Sequence, residues 1–215
     1  MSYLDIVNNI LKRLRERTVS TVNESSYSSL IAVLVNDAKE TVENAFQWSG
    51  LRTTLTATTT SGTFNYELNG SLNAVTVLDV INVTDNFFLK PKGSHEFNKL
   101  FLSNNVGTGS PYYYSFNGIS TDGDTKVDLY PIPDAEYTIR FNCVLRTTDL
   151  VNDTDKITIP TKPIELLAHA LAVEERGEDG GMTSVSAYAR ATTALQDAVA
   201  LDSNKHSEEL IWYEG

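Results

Sequence analysis

The chain of 215 residues is 41% apolar and 21% charged, a globular composition sufficient for one large or two small domains. Its formal net charge of −11 argues against a general nucleic-acid binder, which carries a basic face to neutralise phosphates. No apolar run approaches the roughly 20 residues that span a bilayer, and MSYLDIVNNILKRLRERTVS lacks the basic, apolar and small-residue order of a secretory signal, so a cytosolic origin and no membrane are expected.

The first segment reads as a helix with a narrow seam of Leu4, Val7, Leu11 and Leu14. Lys12, Arg13, Arg15 and Arg17 cluster near its end, where positive charge suits the negative pole of the helix dipole. A second helix is expected to start at Asn23–Ser26, whose side chains can cap it. Ile31, Leu34, Val35, Ala38, Val42 and Ala45 line its face, and Gly50 is read as its stop.

The texture then turns β-rich. LRTTLTATTTSGTFNYEL alternates, with Gly62 at a turn; AVTVLDVINVT, PYYYSFNG, TKVDLYPIP and AEYTIRFNCVLR read as further strands. SHEFNKLF reads as a short helix between them. Asn117-Gly118 and Asp122-Gly123 are hairpin signals. The expectation is an antiparallel sandwich or barrel. The single cysteine, Cys143, sits in a strand and reads as a buried thiol.

After ITIPTKP the helical period returns, with Thr161 and Pro163 at the start, Ile164, Leu167, Ala168 and Leu171 on one face, and Gly177 at the end. A last helix beginning near Thr183–Ser184 carries two stripes. One is Val185, Tyr188, Thr192, Leu195 and Val199; the other is Ala187, Ala191, Ala194 and Ala198, a closely approached face. The fold class is therefore α+β: a four-helix bundle in residues 1–50 and 161–201, an inserted antiparallel β domain in 51–160, and a tail in 202–215.

Candidate chemistry concentrates in AHALAVEERGEDGG. Glu165 and His169 share a helix face at i, i+4 spacing, but a metal site needs further ligands, and no second copy of the pair occurs. Glu165, His169 and Arg176 line one side, as a solvated or interface face does. Gly177, Gly180 and Gly181 make the stretch a corner between helices, with Glu178 and Asp179 near the next N-terminus. DGDTKVD lacks calcium-loop spacing at Lys126 and reads as a turn. Tyr112, Tyr113 and Tyr114 read as core and interface packing, with a sugar-binding platform the alternative. P-loop, dinucleotide, GxSxG and HExxH motifs do not occur, and no cofactor or metal is expected. A virion hydrolase using Glu165, His169, Glu174 or Glu175 is the enzymatic alternative. The ending carries LIWY at 210–213 beyond a polar spacer; it either folds back on its own core or anchors in another subunit.

Taken in order, YLDIVNNILKRLRE, FQWSGLRTT, PYYYSFNG with DGDTKVDLYPIPD, ELLAHALAVEERGEDGG and KHSEELIWYEG resemble the head-to-tail adaptors of short-tailed, T7-like podoviruses, the tail tubular protein A-like family, of a marine cyanophage type. The resemblance spans the chain and implies a non-enzymatic virion protein. It implies a homo-oligomeric ring of about twelve copies, closed through a heterologous interface. That ring sits between portal and tail nozzle and supports fibre attachment. DNA passes through its channel without specific binding. On this reading Leu210, Ile211, Trp212 and Tyr213 bind the portal. Arg13, Arg17, Glu165, Arg176, Tyr188, Ala191 and Leu195 contribute to the ring interface.

Overall fold

The computed structural model describes residues 1–71, 75–102, 106–177 and 182–206. It is an α+β chain, and among these residues it has five α-helices and two four-stranded sheets. Two compact units emerge, Met1–Leu51 with Arg146–Gly215, and Arg52–Leu145.

In the first unit, α1 (Tyr3–Arg13) starts at a reciprocal cap. The Asp5 amide donates to Ser2 Oγ, and the Ser2 amide donates to Asp5 Oδ2. Its buried face is Tyr3, Ile6, Val7, Ile10 and Leu11, wider than the seam expected from Leu4, which is only half-buried. Ile6 and Ile10 complete a full core-facing stripe, because α1 lies against two helices rather than one. The second helix, α2 (Ser26–Ala45), is capped by Ser25 in the same reciprocal way with Ser28. It ends at Phe46, before Gly50. Gly50 is instead placed by a close approach: a β-carbon there would lie 2.3 Å from the Thr158 carbonyl oxygen.

Residues 146–160, grouped by sequence pattern with the strands, lie with the helices. Asn36, Lys39 and Glu43 hold this return segment, and their spacing puts them on one face of α2. Asn36 exchanges two hydrogen bonds with the Leu150 backbone, at 3.0 and 3.1 Å. Lys39 Nζ donates to the Thr147 carbonyl at 3.0 Å and lies 3.4 Å from Glu43. Glu43 accepts from the Thr147 amide and hydroxyl. Both charged side chains are only 2% exposed, so each is the other's compensation. Further along, the Tyr3 and Leu4 amides donate to the Asp155 and Asp153 carbonyls.

Two more helices complete the unit, α4 (Thr161–Arg176) and α5 (Met182–Ser203). The former packs against α1, α2 and α5. That explains burial around much of its girth, at Pro163, Ile164, Glu165, Ala168, Ala170 and Ala172. Gly177 ends it in the left-handed region, φ 60°, as its type predicts. On α5 the alanine stripe is the buried one, at Ala187, Ala191 and Ala198, joined by Ser184. The larger stripe lies outward: Val185 is 70% exposed, and Thr192 is exposed.

The second unit carries one sheet ordered β1 (Arg52–Thr58), β8 (Thr138–Leu145), β3 (Val75–Asn82) and β4 (Phe87–Phe88). The other is ordered β2 (Asn65–Glu67), β7 (Thr125–Tyr130), β6 (Tyr113–Ile119) and β5 (Lys90–Pro91). Ala57, Val80, Ile139 and Phe141 of the first sheet share one buried cluster with Tyr114, Val127 and Leu129 of the second. Period-two alternation produces this: in β8, Ile139, Phe141 and Cys143 point inward while Arg140 is exposed. The pairing departs from all-antiparallel at β5 and β6, which run parallel through Lys90↔Tyr113. The chain changes sheets between Phe88 and Lys90, and buried Leu89 sits at the crossing, its amide bonded to Val80. SHEFNKLF forms α3 (Ser94–Phe101), as read.

Asn117-Gly118 is not a hairpin turn. It lies inside β6 at a register shift between Phe116 and Ile119, with Gly118 at φ 82°. A glycine bulge uses the same left-handed freedom as a turn, so the dipeptide alone does not separate the two. The turn is one step on, where Ser120 and Asp124 exchange backbone and side-chain bonds around Gly123.

The Lys39→Met variant should lose roughly 3–5 kcal/mol of stability, because Glu43 is left buried without its cation. Denaturant unfolding should show most of this recovered in the double variant Lys39→Met, Glu43→Leu. Gly50→Ala should cost about 1–3 kcal/mol through displacement of the Thr158 strand of backbone, read as a lowered Tm.

Candidate functional site

The polar corner expected from AHALAVEERGEDGG is built by three elements of the helical unit. Leu14 caps α1, and Arg15, at φ 60°, turns the chain sharply away. Lys12 and Arg13 do lie in the last turn of α1, where the dipole favours them. Arg13 goes further: its Nε and Nη2 both donate to Glu165 Oε1 of α4, at 2.9 and 2.6 Å. Glu165 is 5% exposed while the Arg13 side chain keeps about a third of its surface in solvent, so a buried carboxylate meets a partly solvated cation. Arg176, one helix length on, lies over the Tyr27 ring at 4.9 Å and donates to the Tyr27 hydroxyl at 2.8 Å. It also reaches Glu16 and the Leu14 carbonyl at the end of α1.

His169 stands between these two arginines on α4. Burial lowers its pKa first, Arg13 and Arg190 add to that, and Glu165 opposes it. Each of the lowering influences favours the neutral ring. These groups border a groove of about 460 Å³, with Arg15, Val173 and Thr183 on its other walls. Chemically the corner is a brace. The Glu165 carboxylate serves as counter-ion to Arg13, and Arg176 satisfies a helix-terminal carbonyl. Glu174 accepts from the Tyr188 hydroxyl of α5, whose pKa is pushed up to about 12 by burial and then by that bond. Glu175 is exposed.

Of the residues singled out for a ring interface, Arg13, Glu165 and Arg176 thus make their charged contacts within one subunit. Ala191 is buried on the alanine stripe. Arg17 is exposed and Leu195 half-buried on α5; Tyr188 is half-buried, its hydroxyl held by Glu174 of the same subunit. Sequence reasoning missed Glu16 and Tyr27, whose only signal is a distant arginine in search of partners. Glu178, Asp179, Gly180 and Gly181, and the tail residues Leu210, Ile211, Trp212 and Tyr213, lie outside the described residues.

The three adjacent tyrosines do not share a platform. Tyr114 is in the core of the β unit. Tyr113 lies under Lys92, 4.5 Å from ring centre to Nζ. Tyr112, 54% exposed, stacks on Phe87 at 4.5 Å. Cys143 is buried, its thiol pKa pushed up by burial, so it is a poor nucleophile.

A second fixed point, unforeseen from sequence, closes α5. Asp202 is 4% exposed and accepts from the Ser49 amide at 2.7 Å, the Ser49 hydroxyl at 2.6 Å and Lys205 at 2.8 Å. Burial alone would raise its pKa; the Lys205 and Ser49 bonds outweigh it and hold the carboxyl at about 2. A pKa depressed in the folded state stabilises above the unfolded value near 4 and loses that contribution as pH falls toward 2. Asp202→Asn should therefore lower Tm at pH 7 and make the melting curves of variant and parent converge near pH 2, as thermal scans across pH 2–7 would show.

No curated protein matches the chain. The family model of the SU10 adaptor protein matches residues 1–209, which takes in both the helical and the β unit. The match supports a phage head–tail adaptor, a structural component of the virion, in agreement with the adaptor part of the resemblance drawn from sequence motifs. The chain belongs to the SU10 adaptor protein family.

Proposed function

We propose that this adaptor is the ring that joins portal to tail nozzle in a short-tailed, T7-like podovirus of marine cyanophage type. The carrying observation is that the family match runs through both units, so the whole chain and not one module is adaptor. In this reading about twelve subunits close head to tail, extending the DNA channel used in packaging and ejection. An acidic subunit repeated around a channel presents a negative wall over which DNA slides without specific binding; the net charge of −11 supports that.

The helices act as a four-helix bundle domain and the two sheets as the layers of a sandwich. The helical domain meets the portal, and the β domain the nozzle and fibres. Assembly takes place in the host cytoplasm. The protein is not an enzyme and needs no cofactor. The ring contact is carried by α5, at Tyr188 and Leu195, and by Arg17. Arg13, Glu165, Arg176 and Ala191 support that face from within. Leu210, Ile211, Trp212 and Tyr213 anchor the subunit in the portal.

Native mass measurement of the purified protein, alone and with a portal ring, tests the reading, repeated with residues 206–215 deleted. A ring of about a dozen copies that joins portal only with the tail intact is expected. A monomer that persists at high concentration with portal present would overturn it.

A further inference from the structure

The end of α5 and the start of α4 border a groove of about 430 Å³ on the helical unit. Its apolar lining is Pro160, Pro163, Ala194, Ala198 and Leu201. Ligand pockets of roughly 300–1,000 Å³ have predominantly apolar walls of this kind. Leu201 is 72% exposed beside it, a large apolar side chain on the rim of an apolar depression. The groove also has a charged edge: Lys162 and Lys205 line it, with Asp197 and Asp202. Asp202 is already held by Ser49 and Lys205.

Lys205 is itself a wall of this groove, and the chain runs on from His206 for nine residues, SEELIWYEG. An extended chain covers about 3.3–3.6 Å per residue, so LIWY, starting five residues after Lys205, begins within about 18 Å of that wall. The Asp202–Ser49 bonds fix the point from which the tail departs. LIWY is the most concentrated apolar stretch of the tail, and Glu208, Glu209 and Glu214 flank it with charge opposite to Lys162. Length and apolar match thus point to one occupant, while the two lysines and two aspartates of the lining leave charge neutral to the choice. We propose that Leu210–Tyr213 seat in this groove of their own chain in the free subunit, storing the anchor until a partner offers a larger apolar surface. The inference concerns the subunit before assembly and stands apart from whether the tail meets a portal.

Tryptophan fluorescence reads it directly. The chain has two tryptophans, and Trp48 is fully buried with its indole bonded to the Val42 carbonyl, so emission open to acrylamide reports Trp212. The intact protein should show Trp212 shielded, to an extent independent of concentration. Leu201→Glu, a change at an exposed position that leaves the fold intact by circular dichroism, should raise its quenching constant several-fold. Ala194→Glu, two turns earlier on the same α5 wall, should do the same. Three results would overturn the proposal: free quenching of Trp212 in the intact protein, no response to either variant, or shielding that fades on dilution. The last would assign the groove to a second copy's tail. Portal binding enters none of these readings, so its failure would leave them unchanged.

Discussion

The buried Lys39–Glu43 pair is the constraint on which the helical unit depends. A chain that leaves its helices at Leu51 and returns at Arg146 must find its place again after the whole β unit. The return segment has few large apolar side chains with which to do so. Its polar backbone docks on Asn36, Lys39 and Glu43 instead, groups that cost free energy when buried alone and are satisfied only by the correct partner. A slipped segment would leave two charges without compensation. Hydrophobic contact tolerates small shifts; this arrangement does not. Once Thr147 and Leu150 are docked, the following residues run to the start of α1 and on to α4.

The helices were legible in the sequence because their signals are local. The cap within Asn23–Ser26, the apolar period of α1 and α2 and the stop at Gly177 each lie within one or two turns of what they control; the cap at Ser2 is equally local but went unread. The corner at Glu165–Arg176 was legible as a polar corner. Its wiring was not, because Arg13 and Glu165 are separated by most of the chain. Lys39 and Glu43 were passed over for a related reason. A lysine and a glutamate four apart read as a solvated pair, and only the return segment makes their face an interior. On α5 the period was visible, but two stripes competed. The structure buries the small one, since alanine lets α4 approach and the larger side chains would hold it away.

Strand existence followed from β-branched alternation; strand partnership did not. Nothing near Lys90 signals that its neighbour is Tyr113 in parallel, because the pairing is fixed by the crossing at Leu89. Asn117-Gly118 shows the same limit at short range. The dipeptide supplies a left-handed residue, and the register of β7 decides whether it becomes a turn or a bulge.

The stem of the β unit has a consequence for how such chains diversify. Its first strand and its last, β1 and β8, are direct partners, with Arg52 opposite Val144. Neighbouring strands lie about 5 Å apart, so the points of departure and return are held together within the insert itself. To the helices, everything between Arg52 and Leu145 is equivalent to a short closed loop, whatever its length. Loops, bulges and even whole hairpins beyond that stem are free to change under selection for a new contact. The helical framework would register no difference, which makes the insert an exchangeable cartridge on an unchanged mount.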